Sequence, residues 1–274
     1  MDYIDYIDIK TYKMDSIPDN VTISTITVNC NLNTLMLLDN ISNYIPIDLD
    51  NIIAIKSGKN SILRCVDNQQ DKFKSINKNY KRNFYNQLTT IIKVSDDKYI
   101  NIKLFKNGSI QMTGCKSLID INISINKLIS RLKSTLIIDD NIITFVENID
   151  NIKVINFKID LINSNFGINY KINREQLYNI LIKQNVLCRI SSIQACINIK
   201  HKIISNNIVI YISIFIFQTG NIIIIAKNPE HIKLAYIYIV TFLNKHKQNI
   251  IKKNINDYFD SKYIKDFLDS IKEQ

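Results

Sequence analysis

Two hairpin turns with similar residues lie 112 positions apart in this chain: Phe105-Lys-Asn-Gly108-Ser-Ile110 and Phe217-Gln-Thr-Gly220-Asn-Ile222. Asn and Gly tolerate positive φ, so each segment predicts a tight turn between two antiparallel strands. A long alternating strand precedes each turn and an amphipathic helix follows it. We therefore expect an internal repeat of about 100 residues, each copy running β-α-β-β-β-α.

Residue periodicity predicts the elements around the turns. Alternating β-branched residues predict an opening strand over 21–32. Apolar residues at helical spacing predict a helix over 117–133, with Ser117 as its N-cap, and another that opens at Pro229. Further strands are expected over 84–94, 98–105, 154–168, 187–200 and 207–217, and further helices over 34–43 and 173–184.

Composition excludes several classes of function. The five Gly residues form neither GxGxxG nor GxxxxGK[ST], so neither Gly-rich phosphate-binding loop is present. The five Cys residues include no CxxC pair, and the three His residues form no HExxH. We therefore expect no metal, cofactor or disulfide framework. The inner acid pairs, Asp96-Asp97 and Asp139-Asp140, fall in predicted turns, so no enzyme activity and no catalytic residue is expected.

The charge of the chain allows a nucleic-acid partner but does not require one. The net charge is +10, and the Lys-rich codons of an AT-rich genome could give the same value. The most apolar run, residues 208–217, is far shorter than the roughly 20 residues that span a bilayer. The acidic first residues contain no apolar signal region. We expect a soluble, intracellular protein without a membrane partner.

The strand faces differ between the two halves. In the first half, one face carries Ile102, Leu104, Ile110 and Met112, and the other carries Lys103, Phe105, Gln111 and Thr113. One face is therefore core and the other is open to solvent or a ligand. In the second half both faces of 208–217 and 221–226 are apolar. The extra apolar face is either a binding surface or a buried sheet face, such as a homodimer interface.

These segments resemble the core of the TATA-box-binding protein family, in a divergent form similar to those of large DNA viruses. Residues 105–117 are close to the family hairpin IFSSGKMVCTGAKS, and residues 23–32 resemble its opening strand, VSTVNLGCKL. In the second half, Phe157-Lys158-Ile159 is similar to FKIQN and residues 217–220 to FVSGK, although residues 225–227 replace TGAK. The resemblance covers roughly residues 20–247. It implies an α+β fold, a saddle of two pseudo-symmetric repeats with a curved antiparallel sheet and helices on the convex face.

The resemblance also implies a site for the minor groove of AT-rich double-stranded promoter DNA on the concave face. Phe105 and Phe217 would be wedges that separate base steps, and Phe84 would be the partner of Phe105. The matching partner in the second half falls near Leu187 or Cys188, where no aromatic residue stands. The other implied DNA-binding residues are Ile23, Thr25, Thr113, Phe215, Ile223 and Ile225.

Some implied site residues depart from the family pattern. The family has an Asn on the first strand of each repeat. Here these places fall near Val21 and Leu161, with Asn20 and Asn163 close by. Lys103 and Gln111 stand where the family has apolar groove contacts. Strict recognition of a TATA sequence is therefore not expected.

The resemblance implies a transcription initiation factor that binds and bends promoter DNA and recruits a transcription factor IIB-like partner and RNA polymerase, in a nucleus or a cytoplasmic viral factory. The partner would dock on the loop from Lys200 to Asn207. The exposed side of helix 229–246, with Glu230, Lys233, Tyr238 and Lys245, would be another protein surface. The alternative is a structural or protein-interaction module that has lost DNA binding. The expected domains are an arm (1–19), a first repeat (20–134) with a basic insertion (56–83), a connection (135–153), a second repeat (154–247) and a charged helical tail (248–274).

Overall fold

The computed structural model of the chain describes residues 12–57, 63–66, 86–191, 193, 195–205 and 207–252. These residues divide into two compact units: unit 1 holds 12–18, 22–164 and 226–230, and unit 2 holds 19–21, 165–225 and 231–252. A short 3₁₀ helix (Met14–Ser16) precedes the first strand. The α-helices and strands in chain order are β1 (Thr22–Asn31), α1 (Leu38–Tyr44), β2 (Ile52–Ser57), β3 (Leu63–Cys65), β4 (Gln87–Ser95), β5 (Lys98–Phe105), β6 (Ser109–Cys115), α2 (Leu118–Leu132), β7 (Leu136–Ile138), β8 (Asn141–Ile143), β9 (Ile155–Gly167), α3 (Arg174–Lys183), β10 (Cys188–Ser191), β11 (Cys196–Ser205), β12 (Ile208–Phe217), β13 (Asn221–Ala226) and α4 (Pro229–Ile250).

Unit 1 is a sheet in the order β9-β1-β6-β5-β4-β2-β3, antiparallel at every pair from β1 to β3. β7 and β8 form a separate hairpin. The predicted opening strand is confirmed as β1, on which Ile26, Val28 and Cys30 alternate as buried residues. The predicted core face of β5 and β6 is also buried. Helix α2 packs on β4 and β6 and contributes its own buried stripe to this core.

Helix α2 begins where the sequence predicts. Ser117 is its N-cap: the backbone N–H of Asp120 donates to Ser117 Oγ at 3.2 Å, and that of Ser117 donates to Asp120 Oδ2 at 2.9 Å. This capping box satisfies amide groups of the first turn. Burial by itself would raise the pKa of the Asp120 carboxyl, but its ion pair with Lys98 and the N–H groups of Lys116 and Ser117 outweigh burial and lower the pKa.

Unit 2 contains the strand order β10-β11-β12-β13. Strands β11 and β12 pair in register from Cys196 opposite Phe217 to Ser205 opposite Ile208. Of the apolar stripe predicted for α4, Tyr236 is half-buried, and the other members are buried: Ile232, Ala235, Ile239, Phe242 and Leu243. The Tyr238 ring of α4 stacks on His201 of β11, with 3.9 Å between ring centroids. The helix therefore packs on the sheet face that carries His201. The residues buried on that face are Ile212, Ile214, Ile216, Ile222 and Ile224.

The two predicted hairpin turns are built alike. Gly108 has φ +81° and Gly220 has φ +90°, a region that L side chains rarely adopt. A Cβ atom added to Gly108 would lie 2.2 Å from the Thr34 carbonyl oxygen, and one added to Gly220 would lie 2.5 Å from that of Tyr170. Both turns therefore require glycine, for conformation and for space.

Each turn is held by the segment that follows the first strand of its half. The Leu32 and Met36 N–H groups donate to the carbonyls of Gly108 and Lys106 at 3.0 and 2.9 Å. The same bonds recur in unit 2, where the Ile168 and Ile172 N–H groups donate to the carbonyls of Gly220 and Gln218 at 3.0 and 2.9 Å. Equivalent backbone bonds at equivalent positions support the internal repeat more strongly than turn residues alone.

The repeat is longer by one strand than the sequence predicts. Each half runs β-α, then four strands (β2, β4, β5 and β6, or β10 to β13), then α, with β3 as an addition to the first half. Strand β2 escapes prediction because residues 52–56 are buried without alternation. Lys56, expected in the basic insertion, belongs to β2 and is buried, and burial lowers its pKa. The remainder of the insertion lies mostly outside the described residues.

Two further expectations need correction. The single strand predicted over 187–200 is two strands, β10 and β11, separated by a turn in which Ala195 has φ 50°. The first helix is shorter than predicted and begins at Leu38 instead of residue 34. The expected domain boundaries stay a prediction.

Candidate nucleic-acid interface

Unit 1 presents a polar surface opposite its buried face. We call it the open face of unit 1: Thr25, Asn29, Asn101, Lys103, Phe105, Gln111 and Thr113. Lys103 of β5 lies directly opposite Gln111 of β6, and Asn101 opposite Thr113. Phe105 ends β5, is half-buried, and faces Gln87 across the strand pair. The predicted residues Lys103, Gln111, Thr113 and Phe105 thus belong to one continuous surface.

The first strand adds further polar groups to this face. Thr25 Oγ1 accepts a hydrogen bond from the Gly114 N–H at 3.1 Å, and Ile23 is half-buried near the start of the strand. Asn29 pairs with Gln111, and its Nδ2 donates to the carboxylate of Asp160 on β9. Asp160 in turn lies 3.6 Å from Lys158 Nζ. Neither Asn29 nor Asp160 was predicted as a site residue, although the alternation of β1 places Asn29 on the open face.

Asn163, a predicted DNA-binding residue, lies on β9. Its Oδ1 is buried and has no hydrogen-bond partner among the residues that the structure describes. A buried amide oxygen without a partner costs free energy, so such positions in native proteins call for an explanation. Phe84, the predicted partner of Phe105, lies outside the described residues.

Unit 2 presents an apolar surface at the corresponding place. We call it the open face of unit 2: Ser213, Phe215, Phe217, Ile223 and Ile225. Phe215 lies opposite Ile223, and Ser213 opposite Ile225. All five residues are half-buried, whereas the alternate residues of the same strands are buried beneath α4. Phe217 ends β12 as Phe105 ends β5, and the N–H of Gly220 donates to its carbonyl at 3.0 Å.

The two open faces differ in polarity at equivalent positions. With the 112-residue offset of the repeat, Lys103 corresponds to Phe215, Gln111 to Ile223 and Thr113 to Ile225. Only the Phe105 and Phe217 pair is the same in both halves. The strand pairing supports the alignment, because Lys103 faces Gln111 and Phe215 faces Ile223.

Lysines border the apolar face of unit 2. Lys200 of β11 lies opposite Ser213, and its Nζ donates to Ser213 Oγ at 2.7 Å. Lys202 lies opposite Tyr211, and both side chains are exposed. Cations at this border are suited to phosphate groups of a ligand that covers the apolar face.

The two surfaces expected to bind protein partners differ in the structure from what the sequence predicts. Lys200 to Ser205, expected in a loop, belong to strand β11, so the β11–β12 hairpin extends further than predicted. Tyr238, expected on the exposed side of α4, is half-buried against His201. The place expected for an aromatic partner of Phe217, near Leu187 or Cys188, lies at the start of the short strand β10, which begins at Cys188.

The Cys30 and Cys115 side chains are buried. Burial raises the pKa of the Cys30 and Cys115 thiols to about 12, so they are protonated at neutral pH. Within the described ranges, no three His, Cys, Asp or Glu residues come together as a potential metal site. Likewise, none of the described helices is long and apolar enough to cross a membrane.

Comparison with known proteins identifies the family. The chain is 36% identical over 282 aligned positions to a "TATA-box-binding protein-like" protein of Acanthamoeba polyphaga mimivirus, covering 93% of this chain and 75% of that protein. The chain belongs to the TATA-box-binding protein-like family. The source of this relative agrees with the large-DNA-virus type expected from the sequence. No protein-family model matches the chain.

The structure gives the same result at the level of the fold. It is similar to that of Methanococcus jannaschii TBP with a TM-score of 0.51, covering 82% of this chain and 99% of that chain at 17% identity. The predicted α+β class and TATA-box-binding protein fold are confirmed. Proteins of this family and fold belong to a non-enzymatic class.

Proposed function

We propose that this TATA-box-binding protein-like chain is a transcription initiation factor that binds and bends promoter DNA through the minor groove. The observation that carries the proposal is the open face of unit 2. Phe215, Phe217, Ile223 and Ile225 form an apolar sheet surface on the side opposite α4. Minor-groove proteins insert such apolar side chains between base steps and kink the duplex.

The repeated position of the two phenylalanines supports their assignment as wedges. Phe105 and Phe217 each end a strand immediately before a glycine turn, and each is half-buried. Unstacking a base step costs a few kcal/mol, so a wedge side chain needs a well-held backbone. Backbone hydrogen bonds from the segment after the first strand of each half hold both turns in place.

The net charge of +10 supplies the second contribution to binding. Lys200 and Lys202 beside the apolar face, and Lys103 in unit 1, are available to neutralise phosphates. Such contacts release counterions, so the affinity would fall steeply as the salt concentration rises.

A partner of the transcription machinery has a suitable docking surface at the end of the β11–β12 hairpin. Ile204 is 70% exposed and Ile208 is 63% exposed. Exposed apolar residues at a hairpin end favour a protein contact, and we assign this end to a transcription factor IIB-like protein that brings RNA polymerase. A double change, Ile204→Ser with Ile208→Ser, would retain DNA binding and lose recovery of that factor and of polymerase subunits in a pull-down.

A gel-shift assay with AT-rich duplex at about 50 and about 200 mM salt tests DNA binding. We expect a shifted band that weakens at the higher salt, and weaker binding by Phe105→Ala and Phe217→Ala. The matched control is Ile237→Ala, because Ile237 is an exposed apolar residue on α4. Absence of binding at the lower salt would refute the proposal. Binding by both Phe variants at the wild-type level would refute only their assignment as wedges.

The second candidate is a protein-interaction module. It is favoured by the same apolar face, which could equally be covered by another protein or a second copy of the chain. A chain that binds no duplex and recovers itself, without polymerase subunits, in a pull-down would support this alternative. Staining infected or transfected cells would distinguish a nucleus from a cytoplasmic viral factory.

A further inference from the structure

We propose that the two halves of the chain differ in base-pair tolerance: the open face of unit 2 requires A·T pairs, whereas that of unit 1 accepts G·C. The inference rests on the proposed minor-groove function and deepens it. It follows from the difference in polarity between equivalent positions, where Gln111 and Thr113 in unit 1 correspond to Ile223 and Ile225 in unit 2.

In the minor groove, A·T and G·C pairs differ by a single hydrogen-bonding group. A·T and T·A present only acceptors there, and G·C adds the guanine 2-amino group, a donor. A donor that leaves water needs an acceptor in the protein, because an unsatisfied buried polar group is costly. A protein face that tolerates guanine must therefore offer an acceptor where it meets the guanine 2-amino group.

Unit 1 offers such acceptors. Gln111 and Thr113 are half-buried on the open face, and both carry a side-chain oxygen. Among the residues that the structure describes, the Gln111 amide and the Lys103 ammonium have no hydrogen-bond partner. The amide oxygen can accept from guanine, and the ammonium can donate to the acceptors that both kinds of base pair present.

Unit 2 offers none at the equivalent positions. Phe215, Ile223 and Ile225 carry no acceptor. Asn198 faces Phe215 across the strand pair, but the residue is only 5% exposed, so it presents almost no surface to a ligand. A guanine amino group against Phe215, Ile223 and Ile225 would lose its water without replacement, which lowers affinity ~5- to 150-fold, the equivalent of about 1–3 kcal/mol.

The test measures binding of the full chain to duplexes of ~16 bp, about one and a half turns of DNA. Fluorescence anisotropy compares an all-A·T core, a core with G·C in one half and a core with G·C in both halves. The chain can orient unit 1 over the substituted half, so we expect the first substitution to cost less than about threefold and the second ~5- to 150-fold. Inosine in place of guanine lacks the amino group, so it should restore binding.

Reciprocal exchanges between the halves provide matched variants. Gln111→Ile should make a single G·C half as harmful as two, and Ile223→Gln should make both halves tolerant. Each change places a residue that the chain already uses at the equivalent position, and far-UV circular dichroism checks folding. Equal losses from one and two substituted halves, or no loss from two, would overturn this inference while DNA binding itself stands. Failure to bind any of the duplexes would overturn the proposed function.

Discussion

Replacement of the turn glycines by alanine should destabilise the protein strongly. At Gly220 the φ of +90° is strained for any residue with a Cβ, at a cost of about 1–3 kcal/mol. The new Cβ would also lie 2.5 Å from the Tyr170 carbonyl oxygen and 2.9 Å from that of Ile168. Neither contact can be relieved by a side-chain rotation, and backbone shifts from such overpacking cost about 1–3 kcal/mol more.

We therefore expect Gly220→Ala to lose about 2–6 kcal/mol, a large share of the about 5–15 kcal/mol that stabilises a typical protein. Gly108→Ala should lose at least as much, because its nearest contact is closer, at 2.2 Å from the Thr34 carbonyl oxygen. A loss of this size corresponds to a fall in Tm of about 4–24 °C for a chain of this length.

Thermal unfolding followed by circular dichroism measures the effect, and Gly167→Ala is the control. No atom lies within 4 Å of a Cβ built at Gly167, so this change should leave Tm nearly the same or raise it slightly. If Gly220→Ala and Gly108→Ala unfolded at the same temperature as Gly167→Ala, the reasoning from φ and contact distance would be refuted.

Three more predictions concern charge and reactivity. The pKa of Asp120 is lowered in the folded protein, so its stabilising contribution is present above the unfolded pKa and is lost as pH falls; the Tm difference between wild type and Asp120→Asn should therefore shrink on acidification, and a constant difference would contradict this. Because burial raises the pKa of Cys30 and Cys115 to about 12, both should resist thiol reagents at about pH 8 until the protein is unfolded, and rapid labelling of the folded chain would count against it. If Lys200 contacts a phosphate, Lys200→Gln should reduce the slope of log affinity against log salt by about 0.9, whereas Lys245→Gln on α4 should not, and equal slopes would remove Lys200 from the interface.

The candidate site was predictable wherever alternation has one polar side. Lys103, Gln111 and Thr113 alternate with buried apolar residues, so their shared face follows from spacing alone. Contacts between distant segments gave no such signal. Asn29 and Asp160 are 131 residues apart, and nothing in either local sequence indicates their hydrogen bond. The role of the site residues in DNA binding stays a prediction.

Local sequence by itself determined the elements that depend on neighbouring residues. The capping box at Ser117 and the glycine turns at 108 and 220 require particular residues within a few positions, so they can be predicted from the sequence. The recurrence of those turns also indicated the repeat and the family resemblance.

Only the tertiary structure decided which apolar face of unit 2 is core. Both faces of β12 carry apolar residues, so alternation there cannot tell the inside from the outside. The choice is made by α4, whose Tyr238 stacks on His201 and covers the face of Ile212 and Ile214. The opposite face, with Phe215 and Phe217, is left half-buried because a strand has two sides and this helix packs on one of them.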